Sequence, residues 1–186
     1  MKKLLLVTTL FASSALLPAF AADYKIDHEG AHASINIKAS HLGFSVLTGR
    51  FNKFSGTFSY DENNISAAKI SVKVDTSSFD SNHAMRDKHV RSDDFLDVNK
   101  FAQATFISTK VTDKGNGKLA INGNFTLHGV TKPMTIDAVK VGEGSDPWGG
   151  YRLGFSGTAT ISMADFGFKQ DYGQVDLELH IEGIRQ

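Results

Sequence analysis

Apolar and polar residues alternate along most of this chain. Ile35 and Ile37 alternate with Asn36 and Lys38, and Phe54, Phe58 and Tyr60 share a face whose reverse carries Lys53, Ser55, Thr57 and Ser59. The pattern returns at Ile70, Val72 and Val74, at Ile121, Phe125 and Leu127, and at Phe155, Ala159, Ile161 and Met163. It closes the chain with Val175, Leu177, Leu179 and Ile181 set against Asp176, Glu178, His180 and Glu182. Side chains of a strand point alternately to two faces, so each run predicts a strand with one apolar and one wet face. Asp61-Glu62-Asn63-Asn64 and Asp113-Lys114-Gly115-Asn116-Gly117 read as hairpin loops, Gly129 to Pro133 as a turn, and Gly142 to Gly150 as a longer glycine-rich loop. Short connections between sequential strands favour an up-and-down meander. About eight such strands remove their edges by closing into a barrel.

One stretch breaks the rhythm. From Asp80 to Lys100 the chain is charged and loses its alternation. We read a helix from about Asn82 to Arg91 and a turn capped by Ser92, with Met85, Val90, Phe95 and Leu96 toward the barrel. The expected fold is therefore all-β, with one short helical insertion around residues 82–96. No repeat or linker divides residues 22–186, which read as a single barrel domain.

The first 21 residues have a different character. Lys2 and Lys3 precede an apolar run from Leu4 to Leu17, and Ala19-Phe20-Ala21 forms an A-x-A cleavage site before Ala22. This is the pattern of an export signal. The run is short for a membrane span, so a mature chain beginning at Ala22 without a stable membrane anchor is expected, in the periplasm. With Lys2 and Lys3 removed, 18 basic residues meet 20 acidic ones, a balance that lacks the basic field a nucleic-acid partner requires. The absence of cysteine excludes disulfides, thiol chemistry and cysteine-ligated metal.

The 14 phenylalanines, against four tyrosines and one tryptophan, call for a large interior. Either a thick dry core or a long apolar cavity meets that need. Phe44, Phe54, Phe58, Phe106, Phe125, Phe155, Ile161 and Phe168 are the inward candidates, because alternation marks a buried face without locating a void.

Four segments together resemble one family. Arg86-Asp87-Lys88-His89-Val90, running on to Asp94-Phe95, is similar to the R-D-x-H-[LV]-x-s-x-D-F signature of YceI-like proteins. His41-Leu42-Gly43-Phe44 with Gly49-Arg50-Phe51, Ala104-Thr105-Phe106, and Phe125 to Pro133 resemble that family's other motifs, in the same order. One departure is Ala102, where the family usually has proline. The resemblance implies an extended lipocalin-like barrel of eight antiparallel strands, often a homodimer. It also implies a long apolar ligand inside, such as a polyisoprenoid or a fatty-acid amide.

Arg86, Asp87 and His89, with Asp80, His83 and Asp93 nearby, form either a polar clamp for a ligand head group or a structural ion-pair network around the helix. His41 is a lesser candidate. His83 and His89 are six positions apart and do not share a helix face, so zinc is not expected. Nucleophile elbow, zincin, Walker and dinucleotide motifs are absent from the sequence. Asp93-Asp94 and Asp61-Glu62 are neighbours that strand geometry would turn apart, which makes them poor acid–base pairs. The reading is a non-enzymatic binding protein without cofactor or metal that sequesters a polyisoprenoid or similar long-chain amphiphile. The alternatives are an enzyme acting on an isoprenoid or quinone-type lipid through Arg86, Asp87 and His89, and a structural partner of a membrane redox protein.

Overall fold

The computed structural model describes residues 21–186; apart from Ala21, the expected export signal lies outside the described residues. Eleven strands run in chain order: β1 (Ala22–Ile26), β2 (Ser34–His41), β3 (Ser45–Phe51), β4 (Phe54–Tyr60), β5 (Lys69–Asp75), β6 (Phe79–Asp80), β7 (Gln103–Gly115), β8 (Lys118–Leu127), β9 (Val130–Ser145), β10 (Tyr151–Ser162) and β11 (Gln174–Arg185). The helix α1 (Ala84–Arg91) sits between β6 and β7. Every pairing is antiparallel, and β1 against β11 closes the sheet.

The register reduces eleven strands to eight barrel strands. β1 lies along β11 at residues 183–185 and β2 lies along the same edge at 175–180, so together they form one strand broken by the loop 27–33. β3 with β4, and β5 with β6, are broken strands of the same kind, because β4 and β5 continue beside β1 where β3 and β6 accompany β2. The result is the up-and-down, eight-stranded barrel that the alternation predicted. Closure leaves few free edges to pair with other chains.

Two tight turns set the register. Asn116-Gly117 and His128-Gly129 both have positive φ at both positions (54° and 74°, 51° and 75°), the type I′ geometry that matches strand twist. The expected loop at 113–117 shrinks accordingly, since β7 runs to Gly115 and β8 resumes at Lys118. The loop expected from Gly142 to Gly150 shrinks as well. β9 extends to Ser145, with Gly142 opposite Gly154 and Gly144 opposite Arg152, because pairing with β10 resumes past a bulge at Val141. Only Asp146 to Gly150 turns. A register shift between Ser108 and Lys110 moves the inward face of β7 from Ala104 and Phe106 to Val111.

α1 begins at Ala84, two residues later than expected. His83 caps it by accepting the Arg86 amide at 3.1 Å. Val90, Phe95 and Leu96 face the interior as expected, but Met85 does not. It is 70% exposed, while its neighbour Arg86 takes the inward side of the same turn.

Several inward positions are glycines with a ring lying over them. A Cβ on Gly123 would come within 2.4 Å of the Phe106 ring, and one on Gly183 within 2.5 Å of Phe58. Gly123→Ala must therefore displace both the Phe106 ring and the Ile107 carbonyl, which would lie 2.6 Å from the new Cβ, and a loss of ~1–3 kcal/mol in denaturant unfolding is the expected result. An unchanged midpoint would show that ring and strand both give way freely.

Candidate functional site

The inner faces of the strands do not meet. They enclose a cavity of about 660 Å³, a volume typical of small-molecule sites. Ile70, Val72, Ile121, Phe125, Phe155 and Ile181 are among its lining. These side chains stay half-buried although they point inward. The cavity, and not a dry core, accounts for that.

The cavity has one open end. The exposed residues of its lining, among them His41, Leu42, His89 and Tyr172, belong to the β2–β3 hairpin, α1 and the loop before β11. At the opposite end Tyr24, Val111, Leu119 and Leu153 are buried, with Leu153 completely so. The β11 register places the 163–173 loop beside the β2–β3 tip, since Val175 pairs with Ala39.

Polar groups gather at this mouth. The Arg86 guanidinium lines it, with Nε donating to Ser81 Oγ and Nη2 to the Ser81 carbonyl, both at 2.7 Å. The Ser81 amide (2.8 Å) and hydroxyl in turn donate to Asp87 Oδ1. Burial pushes the Asp87 carboxyl up, but these two hydrogen bonds, with the Arg91 and Arg86 charges, outweigh it and hold the group below its ordinary range. Asp87 is an ionised anchor that orients Ser81, and Ser81 fixes Arg86. The remaining Arg86 N–H donors have no protein acceptor among the described residues, which leaves them for an oxygen entering the cavity. His89 pairs with Asp94 at 3.3 Å and sets its ring against Phe95, which stacks on Tyr172.

The structure sorts the residues singled out from sequence. Phe58, Phe106, Phe125, Phe155, Ile161, Phe168, Arg86 and His89 all line the cavity. Phe44, Phe54 and Asp87 do not. Phe44 is 84% exposed, because it sits at the hairpin tip beyond the barrel wall. Phe54 is buried outside the cavity, packed on His28 at 4.8 Å between ring centres. Asp87 is turned away and engaged by Ser81. Of the other charges near the helix, Asp80 accepts from Asn52 and Asn82, and Asp93 pairs with Lys169. His41, Leu42, Leu47, Phe95 and Tyr172 complete the mouth. Sequence reasoning ranked His41 as a lesser candidate and did not name Leu47 or Tyr172. His41 and Leu47 do lie on inward alternation positions of the hairpin, which was the available signal.

A second polar cluster lies at the closed end. Arg152 Nη1 donates to Asp27 (2.6 Å) and to Glu182, and its Nε donates to Asp146 (2.7 Å). The Arg152 hydrogen bond, against the opposing effect of burial and with help from His32 and the Gly30 amide, holds the Asp27 carboxyl far below the ordinary range. The Gly150 amide and then Arg152 lower Asp146. Ligand atoms of Asp27, His32 and Glu182 lie within 4.8 Å of one another, as a metal site would need. The guanidinium already bonded to two of those carboxylates supplies the cation there.

Closed antiparallel barrel, deep apolar cavity and single polar mouth together define a lipocalin-like binding fold. Residues 24–183 match the YceI-like domain, and the chain belongs to that family. UPF0312 proteins of Shewanella baltica (strain OS155) and Vibrio parahaemolyticus are 62% and 60% identical to it, each over the full length of both chains. A YceI protein of Campylobacter jejuni superposes with a TM-score of 0.72 at 26% identity, over 80% of this chain and 91% of its own. A polyisoprenoid binding domain from Saccharophagus degradans, implicated in plant cell wall breakdown, shares the fold at 13% identity, with a TM-score of 0.64 over 90% of this chain and all of that one.

Proposed function

We propose that this protein is a periplasmic carrier that sequesters a polyisoprenoid or similar single-chain amphiphile, tail in the barrel and polar head at Arg86. The observation that carries the reading is the apolar cavity whose one lining guanidinium, Arg86, and lining imidazoles, His41 and His89, sit at its open end. Such a site suits a molecule with one long apolar part and one oxygen-bearing head. A chain burying ~500 Å² gains on the order of 12 kcal/mol before association and ordering costs, which leaves room for micromolar binding or better. The polyisoprenoid-binding neighbour supports the ligand class, and the N-terminal sequence pattern supports export. None of the helices among residues 21–186 is long and apolar enough to cross a membrane.

Catalysis by Arg86, Asp87 and His89 would require the three to face a common substrate. Asp87 lies outside the cavity lining, so the arrangement favours binding. Native mass spectrometry of protein isolated from the periplasmic fraction tests the proposal. The expected result is a chain beginning at Ala22 that carries one long-chain lipid, recovered chemically unchanged after incubation. Conversion of that lipid, lost in His89→Ala while binding persists, would establish the enzyme instead.

A further inference from the structure

We propose that the closed end of the barrel measures the ligand's apolar chain, admitting about four isoprene units and stopping there. The proposal rests on reading the cavity as a site for an apolar chain. Length, volume and the construction of the floor each carry part of it.

Strand β8 lines the cavity from Leu119 at the closed end to Leu127, whose neighbour His128 bonds the Phe166 carbonyl of the loop beside the mouth. The steps from Leu119 to Leu127 advance ~27 Å along a strand. In a barrel whose strands tilt by ~40° that is ~20 Å of depth. An extended chain gains ~1.2 Å per bond, so ~20 Å takes about sixteen chain carbons, the backbone of about four isoprene units. With their methyl branches these are about twenty carbons, which at ~30 Å³ each, the share of one water, fill ~600 Å³. The cavity holds about 660 Å³. Depth and volume agree for a branched chain, whereas a straight chain of the same length leaves space beside it.

At the closed end the chain meets rings. Phe58, Tyr60 and Phe155 line the cavity there, and Phe155 stands edge-on to the other two at 5.8 and 5.4 Å between ring centres. Tyr24 stacks on Phe58 at 4.9 Å and lies outside the lining, so a further ring backs the floor. The Lys140 ammonium sits over Tyr60, 5.5 Å from its centre, held by Glu143 at 2.7 Å and Glu62 at 3.5 Å. A tail pushed farther would have to separate packed rings and would then reach an ion-paired ammonium, not apolar surface. Phe155 sets the stop, because its ring joins Phe58 to Tyr60. Ala138, opposite Leu119 on β9, is a small lining side chain at the same depth.

The test equilibrates lipid-free mature chain with phosphatidylcholine vesicles carrying equal amounts of prenyl alcohols of two to eight units, and identifies the captured alcohols by mass spectrometry. A unit that moves from bilayer to cavity exchanges one apolar setting for another, whereas a unit left outside moves into water. Capture is therefore expected to hold up to about four units and to fall about tenfold or more with each unit beyond. Phe155→Ala should move that break to longer chains by about one unit, and Ala138→Leu should move it to shorter ones. The opposed directions separate a stop from general damage, and Ala138→Leu keeps the test decisive where Phe155→Ala fails to fold. Equal capture of four-unit and eight-unit alcohols by the wild type overturns the ruler, and so does a break that neither variant moves. Capture of none of the alcohols overturns the cavity reading itself, and the ruler falls with it.

Discussion

Arg152→Met should lower the thermal midpoint sharply at neutral pH, and the deficit should shrink as the pH falls below about 4. The guanidinium bonds three carboxylates, and Asp27 and Asp146 among them are nearly inaccessible to water. Removing it leaves those charges buried with only His32 and backbone amides as partners, and loss of a buried counter-charge is among the more damaging single changes a fold meets. The pH dependence follows from the direction of the shifts. In the wild type the Asp27 and Asp146 carboxyls titrate below their unfolded values, so their contribution is complete above the unfolded pKa and is lost as the pH falls through the folded one. In the variant the counter-charge is gone, so both carboxyls titrate higher than in the wild type, protonation relieves the folded state and the two curves converge in acid. Arg152→Lys should recover little, because an ammonium lacks the fork that reaches Asp27, Glu182 and Asp146 together. Circular dichroism melts from pH 7 to pH 3 provide the check. A neutral-pH midpoint equal to the wild type, or a deficit constant across that range, would sink the idea. The location explains the weight given to it. The cluster joins the loop that interrupts β1 and β2 to the turn before β10 and to β11, across the seam where the barrel closes.

That cluster had no signal in the sequence. Asp27, His32, Asp146, Arg152 and Glu182 come from both ends of the chain, and only the pairing of β11 with β1 and β2 brings them together. The barrel was far more legible, because alternation is a local property and survives wherever one face is buried. It misled at Phe44. Phe44 belongs to the turn at the hairpin tip and not to a strand, and on the strand that follows it is Leu47, not Val46, that faces the cavity. Phe54 shows the complementary limit: it is inward and buried, yet His28 covers it, so burial alone did not make it part of the cavity. The helix motif located the right segment but grouped Arg86, Asp87 and His89 as equals. Residues 86 and 87 sit about 100° apart on a helix, which is why Arg86 reaches the cavity while Asp87 turns to Ser81. The breaks between β3 and β4 and between β5 and β6, which make room for the mouth, follow from pairing and not from composition.

Filling the cavity and hollowing its closed end should have opposite consequences. Ile121 lines the cavity between Val111 and Ile136 on the neighbouring strands, and is only half-buried. Ile121→Trp places an indole in open space, so the fold should survive with a midpoint close to the wild type. The same ring removes volume that a bound chain needs. Displacing ~100–200 Å² of ligand contact forfeits ~2.5–5 kcal/mol, which is a loss of about 100-fold or more in affinity. Leu153 is the counterpart. It is completely buried at the closed end and lies outside the cavity lining. Leu153→Ala should cost ~2–5 kcal/mol of stability through lost contacts and a new void, while lipid affinity stays near the wild-type value under conditions where the protein remains folded. Chemical denaturation and fluorescent-lipid titration of both variants separate the alternatives that the phenylalanine-rich sequence left open. If Ile121→Trp instead unfolds the protein by ~1–3 kcal/mol or more, as overpacking of a filled interior does, the barrel is a core and not a container.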